Sequence, residues 1–198
     1  MDSELLSCQC LCETLGACGI DLSVSEALQL FLGRSATAVG RYYGERGQPI
    51  PENFRDELNR RVSDSFMRSL EPIPGIASLL SNLETAFCVA SSSDLERVSL
   101  SLKLTGLGSY FGNRLYTAQM VTHSKPAPDL FLHAAGQMHV APQNTLVVED
   151  SVSGVVAAKA AGMTVWGFVG GSHYRTCDGR SMLSEAGADR VFECMAEF

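Results

Sequence analysis

From Pro74 onward the chain keeps one rhythm, in which short apolar runs at 86–90, 114–118, 145–149, 163–169 and 189–192 alternate with amphipathic stretches at 76–83, 95–104, 128–138, 152–161 and 181–186. A strand followed by a helix and then another strand, repeated, needs a crossover at each step. That pattern predicts an α/β fold with a mostly parallel sheet covered by helices on both faces. The run Leu146-Val147-Val148 shows no polar alternation, as expected of a strand buried on both sides. In open sheets of this kind ligands gather at the carboxyl ends of the strands, so chemistry is sought there.

Before Pro72-Ile73-Pro74-Gly75 only helical periodicity is present. Leu5 to Leu15 suggests a first helix, ended by Gly16 and Gly19. Ser23 or Ser25 can cap a second that runs to Leu32, with Glu26 in its first turn. A third spans 36–46, before Gly47 and Pro49. A fourth spans 51–70, with Phe54, Leu58, Val62 and Phe66 spaced by four on one face. The expected organisation is a helical domain over residues 1–72 and a sheet domain over residues 73–198.

Composition narrows the function classes. Hydrophobic residues make up 45% of the 198 and charged residues 19%, which supports a packed core and excludes a disordered chain. The balance of 15 basic against 22 acidic residues gives a net charge of −7 without any basic run, which argues against nucleic acid or a membrane surface as partner. No apolar stretch reaches the roughly 18 residues of a spanning helix, and Met1-Asp2-Ser3-Glu4 lacks the basic and apolar regions of a signal peptide. A cytoplasmic protein, monomeric or weakly dimeric, is the expectation. The seven cysteines contain no C-x-x-C pair, so free thiols packed as small apolar side chains are expected. Cys8 and Cys12 can share a helix face, which leaves soft-metal binding as a lesser alternative. His123, His133, His139 and His173 have no ligand spacing, and Trp166 is expected to pack between strand and helix.

Three strand ends carry unusual polar residues. Ser91-Ser92-Ser93-Asp94 follows the first run and opens a helix, where hydroxyls and free N–H groups make an anion site; ordinary N-capping is the equal alternative. Ser124-Lys125-Pro126-Ala127-Pro128-Asp129 presents Lys125 on a segment stiffened by two prolines, as a fixed positive charge or as a solvated surface lysine. Glu149-Asp150-Ser151 ends the third run. Two adjacent carboxylates at the end of a buried strand call for a positive partner, and hard oxygen ligands with open positions suit Mg²⁺. Helix capping by Asp150 or Ser151 is the alternative.

Taken together these segments resemble the haloacid dehalogenase-like hydrolase superfamily over nearly the whole chain. Lys125-Pro126-Ala127-Pro128-Asp129 and Val148-Glu149-Asp150-Ser151-Val152-Ser153-Gly154 are similar to the subgroup of β-phosphoglucomutase and small sugar-phosphate phosphatases. Phe131-Leu132-His133-Ala134-Ala135, Ala161-Gly162-Met163 and the loop 167–174 look most like 6-phosphogluconate-type phosphatases. The resemblance implies a Rossmann-like parallel core with an N-terminal helical cap. It implies a Mg²⁺-dependent phosphatase of small phosphorylated metabolites, acting through an aspartyl-phosphate. Ser91 and Lys125 would be the catalytic contacts to the transferring phosphoryl group, with Ser92 a further substrate contact. Glu149 and Asp150 would hold Mg²⁺ directly or through water. Phe31-Leu32-Gly33-Arg34-Ser35 resembles the cap loop that closes over substrate, with Gly33 and Arg34 as contacts.

Members of that superfamily open on a strand ending in D-x-D-G, whose first Asp is the nucleophile and whose second is the general acid/base. That motif is absent, and Met1-Asp2-Ser3-Glu4 matches the V-D-S-E continuation, so Asp2 is not the nucleophile and no residue present takes the role. The missing strand would lie mid-sheet, between the strands ending at Ser91 and Asp150. An upstream start is the expected account, with a truncated record or a non-catalytic phosphate-binding remnant as alternatives. A phosphoglucomutase-type isomerase is the alternative activity.

Overall fold

A computed structural model of the chain describes residues 1–34 and 36–198, and all of these except the side chain of Thr176; Ser35, the last residue of the cap-loop motif, lies outside them. Helices α1 (Glu4–Ala17), α2 (Val24–Phe31), α3 (Ala36–Gly44) and α4 (Phe54–Ser69) come first. They pack round a shared apolar cluster that includes Leu15, Ala27, Phe31, Tyr43, Leu58 and Val62. The predicted stripe on α4 is buried in full: Phe54, Leu58, Val62 and Phe66 all face this cluster. The start of α2 is fixed by a capping box, in which the Ser23 hydroxyl accepts from the Glu26 N–H and the Glu26 carboxylate accepts from the Ser23 N–H. Cys8 and Cys10 are buried in the cluster and Cys12 and Cys18 pack against it, and burial pushes the Cys8 thiol up to about 12.

The rest alternates as the apolar runs foretold. In order come α5 (Ile76–Asn82), β1 (Val89–Ser91), α6 (Leu95–Leu104), α7 (Gly108–Phe111), β2 (Leu115–Thr117), α8 (Asp129–Gln137), β3 (Leu146–Glu149), α9 (Val152–Ala160), β4 (Thr164–Phe168), α10 (Gly179–Glu185) and β5 (Arg190–Phe192). Every strand pairing is parallel, with Val89 opposite Leu115, Leu146 opposite Thr164 and Trp166 opposite Arg190. The chain therefore has an α/β fold with parallel sheets and a helical cap preceding them.

The strands form two separate sheets, β1-β2 and β3-β4-β5. This changes one expectation. Val147 and Glu149 are buried, but Leu146 and Val148 remain 39% and 43% exposed, so β3 is not covered on both sides. The reason is topological: β3 pairs only with β4, and no described strand covers its other edge, where Val148 lines a cleft. The Trp166 ring meets Phe192 and Phe198 edge-on and carries the Arg190 guanidinium over its face, in a cluster against which Ile76 of α5 also packs. Among the described residues no helix is long and apolar enough to cross a membrane.

Candidate active site

The carboxyl ends of β1 and β3 open on a cleft of about 760 Å³ between the sheets and the helical cap. Gly33, Arg34, Ser91, Ser92, Lys125, Glu149 and Asp150, the residues singled out from the sequence, all line it.

Lys125 is the hub. Its side chain is 6% exposed, its Nζ donates to the Ala90 carbonyl at 3.1 Å and to the Glu149 carboxylate, and the same ammonium lies over the Phe131 ring, 4.6 Å from its centroid. It therefore ties the end of β1 to the end of β3 across the space between the two sheets. Glu149, equally buried, is held from its other oxygen by the Ser151 hydroxyl at 2.9 Å. Its carboxylate lies so close over α9 that a side chain at Gly154 would collide with it. A buried ion pair with its remaining lone pairs bonded satisfies the desolvation that two such charges would otherwise cost.

The capping alternatives resolve at the atomic level. The cap of α6 is Asp94, whose carboxylate accepts from the Arg97 N–H at 2.8 Å. Ser91 Oγ accepts instead from the Ser93 N–H at 3.1 Å, a local turn facing the cleft. The cap of α9 is Ser151, accepting from the Gly154 N–H at 3.0 Å. Asp150 is thus left with a carboxylate that makes no hydrogen bond or ion pair among the described residues, while its backbone carbonyl accepts from the Tyr174 hydroxyl at 2.6 Å. Burial, then Asp150, pushes the Tyr174 phenol up, which keeps it a hydrogen-bond donor.

The cap loop meets this acidic corner. Gly33 has φ +71°, and a Cβ built there would lie 3.0 Å from Ser153 Oγ and 3.1 Å from Ser151 Cβ. Only glycine brings the loop this close at that backbone angle.

Several participants had no sequence signal pointing to the cleft. Glu4, in the first turn of α1, lines it, and burial, then Asp150 and Glu149, push its carboxyl up to about 7, with Arg97 partly offsetting this. Arg97 reaches across to donate to Asn59 of α4, and its guanidinium is pulled below its usual range by burial. Asp2 faces away, accepting from the Ser172 N–H and hydroxyl at 3.0 and 2.9 Å. A residue's place on a helix turn is legible in sequence; which distant loop it faces is not.

Among the described residues no three His, Cys, Asp or Glu side chains converge to hold a metal ion. Glu149 is committed to Lys125 and Ser151, and Asp150 is open. One open carboxylate on the cleft wall fits Mg²⁺, which keeps several waters and takes few protein ligands.

Comparison with known proteins agrees with the geometry. The haloacid dehalogenase-like hydrolase family model matches residues 1–168. The chain is 28% identical over 175 residues to the 6-phosphogluconate phosphatase of Escherichia coli, covering 87% of this chain and 79% of that protein. It is 39% identical over 150 residues to a probable pseudouridine-5'-phosphatase of Drosophila melanogaster, covering 71% and 64%. Among solved structures, a conserved haloacid dehalogenase-like protein of unknown function from Agrobacterium tumefaciens superposes with TM-score 0.83 at 34% identity, covering 99% of this chain and 89% of that one. The chain spans just under two thirds of the fly relative's length and more of the other two. It is a member of the haloacid dehalogenase-like hydrolase family and, by that resemblance, a phosphatase.

Proposed function

We propose that this chain is a Mg²⁺-dependent phosphatase of small phosphorylated metabolites, sugar phosphates among them, working through an aspartyl-phosphate whose nucleophile is none of these 198 residues. The observation that carries this is the convergence of Ser91, Lys125 and the open Asp150 on one cleft at the ends of β1 and β3. The name of the Escherichia coli relative, and a solved hydrolase from Deinococcus radiodurans with bound phosphate and sodium at 32% identity, support the choice of substrate class.

In this reading Ser91 Oγ, already oriented by the Ser93 N–H, and Ser92 donate to non-bridging oxygens of the phosphoryl group. Lys125 supplies a positive charge whose position is fixed by Ala90 and Glu149 before substrate arrives, so little reorganisation is needed as charge moves. Asp150 would hold Mg²⁺, with Glu149 behind it, and the bound ion would neutralise charge on the phosphoryl oxygens. Gly33 and Arg34 approach from the cap and close the site against water. The division of the chain into a cap, 1–72, and a core, 73–198, belongs to the same proposal.

The test uses the native protein from its source, its intact mass compared with 21.3 kDa, on a panel of phosphomonoesters. Phosphate release that requires Mg²⁺ and falls by about 10²-fold or more in Lys125→Met is the expected result. Interconversion of sugar phosphates without net release would make it a mutase. No turnover across the panel would overturn the proposal.

A further inference from the structure

The loop 169–177 that follows β4 lends no described side chain to the cleft, yet it reaches the turn that does. Its Tyr174 is buried in the apolar cluster of Val155, Ala158, Val165 and Leu183. The hydroxyl leaves that cluster to donate to the Asp150 carbonyl at 2.6 Å. Asp150 is the first residue beyond the β3–β4 ladder, whose last pair is Glu149 with Gly167. Past that pair the sheet no longer fixes the backbone, and the open Asp150 carboxylate adds no anchor of its own. The residue is held through its peptide instead, by Tyr174 at the carbonyl and by Ser151 next along, whose hydroxyl bonds the Gly154 N–H and Glu149.

The tyrosine ring has little room to move. The His173 ring lies 4.2 Å from it, centroid to centroid. His173 is 2% exposed and neither of its ring nitrogens has a hydrogen-bond partner among the described residues, so it serves as an apolar plate. Glycines make the space for both rings. A Cβ at Gly171 would lie 2.6 Å from the His173 ring, and one at Gly179 would lie 2.3 Å from the Tyr174 ring. The loop is itself tied down one residue earlier, where Ser172 donates twice to Asp2. A phenylalanine would fill the same slot, so packing accounts for the ring and not for the hydroxyl. A buried hydroxyl offsets its lost hydration only through the bond it makes, and here that bond goes to the residue with the open carboxylate.

We infer that Tyr174 is a positioning residue for the metal, its hydroxyl fixing from outside the cleft the turn that carries the Asp150 carboxylate. This rests on the phosphatase proposal, in which Asp150 holds Mg²⁺, and adds to it a residue that touches neither ion nor substrate. A ligand already held in place loses less freedom when the ion arrives, so the hydroxyl acts on metal affinity.

Titration of the native protein with Mn²⁺, the free ion counted by electron paramagnetic resonance, tests this without turnover. Asp150→Asn identifies the signal that belongs to this site. Tyr174→Phe keeps the ring and removes the hydroxyl, and should weaken Mn²⁺ binding by about tenfold or more. The Mg²⁺ concentration for half-maximal phosphate release should rise by a similar factor. Gly179→Ala leaves the hydroxyl but drives a methyl into the ring, and should weaken the metal in the same direction. Val165→Ala trims the same apolar cluster away from the hydroxyl; it should lower the melting temperature and leave Mn²⁺ affinity as in wild type. Mn²⁺ binding to Tyr174→Phe within about twofold of wild type, or an equal loss in Val165→Ala, overturns the positioning role alone. Wild-type protein that binds no Mn²⁺, or binds it unchanged in Asp150→Asn, overturns the metal assignment of the phosphatase proposal and this inference with it.

Discussion

Lys125 and Glu149 show what a single residue's surroundings decide. Sequence presented the lysine as either a fixed charge or a surface side chain, and only burial against Phe131, with partners on β1 and β3, separates these. Asp150 was legible as a polar residue at a strand end, but its freedom became visible only once Ser151 was found to hold the helix cap. Glu4 had no motif to announce it, because its neighbours Asp150, Glu149 and Arg97 come from segments far away in the chain. Its environment sets a measurable pH dependence. The folded state raises its carboxyl from the ordinary 4.5 to about 7, chiefly by burial and then by Asp150 and Glu149. Folding therefore favours the protonated form. The stability this group allows is fully present below about 4.5 and declines as pH rises, with the loss complete above about 7. In metal-free buffer, Glu4→Gln should match wild type near pH 4 and exceed it by about 3 kcal/mol at pH 8 in urea unfolding. Parallel stability curves for the two proteins across that range would reject the assignment.

At the scale of elements, periodicity did most of the work. Spacing by four on α4 and the alternation after Pro74 placed the helices and strands within a few residues of where they lie. Sequence could not show whether β3 had neighbours on both edges, since an apolar run is equally at home in a central strand and beside a cleft. The caps form the other illegible layer: a string of serines and acids holds several possible caps, and hydrogen-bond geometry chooses one. Ser151 makes two buried bonds at once, accepting from the Gly154 N–H that starts α9 and donating to Glu149. Ser151→Ala should thus lose a cap and leave a buried carboxylate oxygen short of a donor, costing about 2 kcal/mol in chemical denaturation. Ser151→Thr should recover much of it. A loss within about 0.5 kcal/mol, the range of ordinary surface changes, would show that α9 and Glu149 do not depend on this hydroxyl.

The whole molecule has a helical cap with its own apolar cluster and a sheet portion with three more, joined where the chain runs from α4 to α5. At that junction the Asp2 N–H donates to the Glu71 carbonyl at 3.0 Å, and the Asp2 carboxylate is anchored to Ser172. Across the cleft, the two parts also meet through Arg97 on Asn59 and through Gly33 on Ser151 and Ser153. Separate contacts at the mouth and a tied junction at the back are the parts of a hinge, and a ligand held by both walls should draw them together. X-ray scattering should show the radius of gyration, about 16 Å for a compact chain of this length, fall by about 1 Å when Mg²⁺ and orthovanadate are added. Gly33→Ala should weaken that response. At φ +71° the added methyl is strained, and Ser151 and Ser153 leave it too little room for the loop to seat. Calorimetry on the same samples establishes occupancy. If vanadate binds and the scattering curve does not change, the cap is already in its working position and Gly33 serves packing rather than closure.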